Sequence, residues 1–177
     1  MKKFTLIAFA IVLLAACKSS YKGPNGVSYK TPVQYNDYII NRQTDLLKKI
    51  MHFAKTSRND LDGAEKLLDG YVDDAAMMVT EIKGMPPFKK DSSFRDAAIN
   101  TFSFYKKALD TYYRDLIQIR RDTLERKQER LDSLVKTITK EEAGFDRKFQ
   151  SAQREFARKN NMKLKHNTMQ DRIKNID

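Results

Sequence analysis

The chain has 177 residues, a formal net charge of +11 and one cysteine. A lone cysteine cannot close an internal disulfide, so a folded domain has to be held together by an apolar core, for which this length is sufficient. The charge is uneven, because residues 33–91 carry nine bases against ten acids and residues 92–177 carry twenty bases against thirteen. An excess of that kind is either a solvated helix face or an attraction to an anionic surface. No nucleic-acid recognition module accompanies it, so nucleic acid is not an expected partner.

The amino end has the layout of an export signal. Lys2 and Lys3 precede the uncharged run Phe4–Leu14, and Ala15 and Ala16 then precede Cys17. The run is too short to span a bilayer, which needs about 20 residues. Small residues before the cysteine suit a cleavage site. The expectation is a bacterial lipoprotein signal over residues 1–16, with Cys17 lipidated and acting as the membrane anchor. Residues 17–32 read as a flexible tether, because Lys18–Pro32 has two glycines, two prolines and no apolar periodicity. Lys18 after the cysteine is not the aspartate that retains many lipoproteins at the inner membrane, so the expected location is the outer membrane of a cell envelope.

Residues 33–162 read as four helices. The first runs from about Val33 to Ser57, with Tyr35, Tyr38, Ile39, Leu46, Ile50 and Phe53 on one face. The second runs from about Asp60 to Lys83, with Asp60 or Asn59 as cap and Gly84 suited to a left-handed stop. Between the second and third helices, Met85, Pro86, Pro87, Phe88, Lys89 and Lys90 form a stiff loop. That loop is either a contact surface or a connection whose Phe88 covers the end of the core. The third helix starts near Ser92 or Ser93, with Ser93 and Asp96 resembling a capping box. Its stripe is Ala98, Phe102, Tyr105, Leu109, Tyr112, Leu116 and Ile119. A phase slip from Ile119 to Leu124 predicts a tight turn near Arg120–Thr123, the alternative being one very long helix with a stutter. The fourth helix then runs from about Thr123 to Asn160, with Gln128 and Glu142 as polar gaps in its apolar stripe. Residues 163–177 read as a polar tail. The predicted fold is an all-α, antiparallel up-down-up-down four-helix bundle with long helices.

Enzymatic constellations are sparse. His52 has Lys49 three residues before it, so the Glu-x-x-His of a di-iron bundle is missing. No zinc spacing, phosphate loop or nucleophile elbow occurs. Glu141 and Glu142 are adjacent, and neighbours on a helix point about 100° apart, so they are not expected to converge. No catalytic residue, metal or cofactor is expected. Tyr38, Tyr71, Tyr105 and Tyr112 read as core tyrosines with hydroxyls at the rim.

Several short strings carry a resemblance. Tyr35-Asn36-Asp37-Tyr38-Ile39, Gly84-Met85-Pro86-Pro87-Phe88, Phe94-Arg95-Asp96-Ala97-Ala98 with Phe102 and Tyr105, and Phe149-Gln150 with Gln153, Phe156 and Ala157 resemble a family of uncharacterised bacterial helical surface lipoproteins. The resemblance implies export and a helical domain, and brings no known activity. The function expected is a lipid-anchored, non-catalytic envelope module that binds or scaffolds, with envelope proteins as possible partners. One alternative is a binder of phospholipid headgroups or acidic glycans through Arg120, Arg121, Arg126, Lys127 and Arg130. Another is a small-molecule sensor or carrier, which needs a cavity of several hundred Å³ between the helices.

Overall fold

The computed structural model describes residues 21–22 and 27–164. Cys17, the apolar run before it, and residues 165–177 lie outside the described residues. The fold is all-α. Helices α1 (Pro32–Thr56), α2 (Leu61–Lys83), α3 (Ser93–Lys107), α4 (Tyr113–Arg121) and α5 (Lys127–Lys159) follow one another. A π-helical turn, Ala108–Tyr112, joins α3 to α4 without a break. Two short strands, β1 (Tyr21–Lys22) and β2 (Ser28–Tyr29), pair antiparallel ahead of α1.

Residues 21–22 and 28–29, read from the sequence as part of a flexible tether, pair in that ladder. Tyr29 is 1 % exposed and belongs to the core, with its ring 5.3 Å from those of Tyr35 and Tyr38. The packed domain therefore begins ahead of Val33. One buried aromatic among glycines and serines has no periodicity to betray it, yet its burial stabilises by about 2 kcal/mol. Thr31 then caps α1 by accepting from the Gln34 amide at 3.1 Å, and Pro32 occupies the first turn, where its missing N–H costs nothing.

Three helix ends differ from their sequence expectation. Asp60 does cap α2, accepting from the Gly63 amide at 2.7 Å, but Gly84 is right-handed (φ −73°) rather than left-handed. The left-handed backbone falls instead on Lys89 and Lys90, where the loop doubles back and Phe88 bridges to Asp91. The capping box at Ser93 does not form. Asp91 accepts from the Ser93 amide at 2.9 Å, and Ser92 donates to Asp96 at 2.6 Å. The predicted turn after the third helix is present, but it spans residues 122–126 and α5 starts at Lys127, after a left-handed Arg126.

The π turn also shifts the register. It admits one extra residue, so the buried position after Leu109 is Ile117 rather than the predicted Leu116. No glycine or proline marks it.

Contacts run in opposite order along α1 and α2, and again along α3 and α5. Tyr35 near the start of α1 donates to the Pro86 carbonyl at 3.0 Å, Arg42 meets Glu81 at 2.6 Å, and Lys49 meets Asp74 at 2.7 Å. Along α5, Lys159 meets Asp91, Phe149 packs on Phe94, and Phe145 stacks on Phe104. At the end where α1 and α3 begin, Tyr35, Phe88, Phe94 and Phe156 form a connected set of rings with centroids 5.3–5.5 Å apart.

Candidate functional site

Ionisable groups converge where α5 passes the π turn. The Tyr105 hydroxyl lies 3.1 Å from Glu142 Oε1 and 3.3 Å from Asp146 Oδ1. Tyr105 is only 2 % exposed. A hydroxyl has one proton and cannot donate to two carboxylates at once. Burial, together with the like charge of Asp146, raises the Glu142 carboxyl above its ordinary range. Burial, with Asp146 and Glu142 beside it, likewise drives the Tyr105 hydroxyl well above its ordinary value. Tyr113, whose ring stacks on Phe53 at 4.9 Å, is also raised by burial.

Glu141 faces elsewhere. It accepts from Tyr112 at 3.0 Å and from Lys107 at 3.3 Å. The adjacent pair Glu141 and Glu142 thus splits as helix geometry requires, while Glu142 and Asp146, four apart, share a face. Sequence reading treated Glu142 as a gap in the apolar stripe. The signal available was the partner it needs: a carboxylate on a packed face opposite a seam of tyrosines implies a buried hydrogen bond.

Beside this cluster a groove of about 420 Å³ runs along α5, lined by Thr137, Lys140, Glu141, Gly144, Phe145 and Lys148. A methyl group added at Gly144 would meet nothing within 4 Å, so the groove is open there. A second groove of about 410 Å³ lies over the Arg42–Glu81 and Lys49–Asp74 pairs between α1 and α2. The interior is occupied by side chains, with Phe94, Phe102, Tyr105 and Phe149 all buried.

The five cations read from the sequence as an anionic-surface patch do come together at the α4–α5 turn, and each has a partner in the chain. Arg120 donates to the Ser57 carbonyl at 2.8 Å, and Arg121 to Glu65 at 2.6 Å and to Asp62. Arg126 pairs with Glu129, Arg130 with Asp122, and Lys127 donates to the Arg120 carbonyl. The 85–90 loop is divided. Met85 and Phe88 are buried, the Met85 and Pro86 carbonyls accept from Arg95 and Tyr35, Pro87 is half-buried, and Lys89 and Lys90 are exposed.

His52 is exposed and pairs with Tyr71. Among the described residues, no group of three or more His, Cys, Asp or Glu is placed to hold a metal ion, and no helix is long and apolar enough to cross a membrane. No family model, curated protein or solved structure matches the chain.

Proposed function

We propose that this protein is a lipid-anchored, non-catalytic module of a bacterial cell envelope that acts by binding. In this reading Cys17 carries the lipid, the outer membrane is the site, and an up-down-up-down four-helix bundle is presented to the periplasm or the exterior. The observation that carries the reading is the fate of the acid cluster around Tyr105. Tyr105 is buried between the packed helices and its hydroxyl engages the half-buried Glu142 and Asp146, which supports a cohesive role for the cluster. The opposed order of contacts along α1–α2 and α3–α5 supports the bundle topology. The Lys2–Cys17 pattern supports the anchor.

The test is membrane fractionation of cells producing the wild type and Cys17→Ser. The wild type is expected in the membrane fraction and the variant in the soluble fraction. Unchanged fractionation of the variant would defeat the anchor.

A further inference from the structure

The outer face of α5 carries a run of cations without partners of their own. Lys136, Lys140, Arg147, Lys148 and Arg154 are exposed, and none makes an ion pair or hydrogen bond among the described residues. Of the acids in the same stretch, Glu142 and Asp146 turn toward Tyr105, and Glu141, which lines the groove beside Lys140 and Lys148, is engaged by Tyr112 and Lys107. These contacts engage the counter-charges that a surface helix ordinarily offers its own lysines.

Geometry makes these cations a line. Lys140, Arg147 and Arg154 follow at seven-residue intervals, two helical turns or about 10 Å apart, and Lys136 extends the line to about 27 Å. Lys148 stands to one side, across the open floor at Gly144, where the groove exposes part of Phe145. Ser133, Ala143, Gly144 and Ser151 flank the line with small side chains. Other unpaired cations, such as Lys30, Lys55, Arg58, Lys66 and Lys90, are dispersed over separate elements.

We propose that this face of α5 binds a linear acidic polysaccharide, with its carboxylates spaced along the lysine–arginine line and a sugar ring seated over Phe145. A flat lipid surface is the poorer match, because the line is one helix wide. A chain bearing a charge at regular intervals matches the periodic spacing, and an apolar floor beside polar walls suits a sugar face. This deepens the binding-module reading and rests on it.

The experiment uses the full-length protein in a non-ionic detergent. Binding to polygalacturonate is measured by calorimetry as a function of salt, with neutral dextran and phosphatidylglycerol vesicles as the other arms. The variant Lys136→Gln/Lys140→Gln/Arg147→Gln/Lys148→Gln/Arg154→Gln is expected to lose affinity about tenfold or more, while wild-type binding weakens steadily with salt. A second variant removes the same charge elsewhere: Lys30→Gln, Lys55→Gln, Arg58→Gln, Lys66→Gln and Lys90→Gln. It is expected to stay within about twofold of wild type. The charge-keeping variant Lys136→Arg/Lys140→Arg/Lys148→Arg is expected to bind as wild type, and circular dichroism checks that each variant folds. Equal loss in the two glutamine variants would mean that net charge alone binds. No binding to polygalacturonate, or binding to the vesicles alone, would also overturn the proposal. Because detergent replaces the membrane, failure of the Cys17 anchor would leave these results unchanged.

Discussion

Where α1 and α3 begin and α5 finishes, the helices meet through rings: Tyr29, Tyr35, Phe88, Phe94 and Phe156 are all buried. Where α4 passes into α5, they meet through charge: Arg121 with Asp62 and Glu65, Arg130 with Asp122, and Arg120 with the Ser57 carbonyl. Apolar side chains at that end stay in water, with Leu124 65 % exposed and Val135 49 % exposed. Ring packing removes area from water and is not screened by salt. Exposed ion pairs contribute little and are screened. The first end therefore fixes the fold, and the second closes a turn at modest gain.

The largest effect that would sharpen this contrast comes from the aromatic end. Phe156→Ala removes a ring packed on Tyr35, Phe88 and Phe94 and is expected to cost about 3–5 kcal/mol in denaturant unfolding. Tyr105→Phe, midway along, is expected to cost about 1–3 kcal/mol, because it removes the buried hydroxyl that Glu142 and Asp146 share.

Glu142→Gln should act in the opposite direction. The folded state holds the Glu142 carboxyl raised, so its contribution is fully present below about pH 4 and is lost as pH rises through the folded value. The glutamine mimics the protonated form. Its melting temperature is expected to match wild type near pH 4 and exceed it at pH 7. Parallel curves at both pH values would show that the carboxylates do not repel in the folded protein.

The smallest effect is expected at the charged end. Arg121→Gln should shift the melting temperature slightly in low salt and not measurably in high salt. A large, salt-independent loss would break the contrast between the two ends.

Much of the architecture was legible because helices with apolar stripes announce themselves. The four predicted segments, the Asp60 cap and the turn after Ile119 correspond to helices and breaks in the structure. Three features left weaker traces. The π turn uses residues that suit any helix, and only the shift from Leu116 to Ile117 reveals it. Tyr29 stands alone, so no period points to it. Asp91 lies just ahead of the serines that look like the cap, and its carboxylate, held at about 2 by Lys159 and the Ser93 hydrogen bonds, takes their place. At the candidate surface, composition located a basic second half. Which cations were left unpaired depended on which acids Tyr105, Tyr112 and Lys107 engaged, and that requires the packing of α3 against α5.

The claim beneath this account is that the centre of the domain is closed and cohesive. Native-state hydrogen exchange across Tyr105–Tyr113 and Lys140–Phe149 tests it most directly. The account predicts that these amides exchange only through global unfolding, with the same free energy as those of Phe94 and Phe102. Faster, independent exchange through the π turn under native conditions would mean that the centre opens to water, and would contradict it.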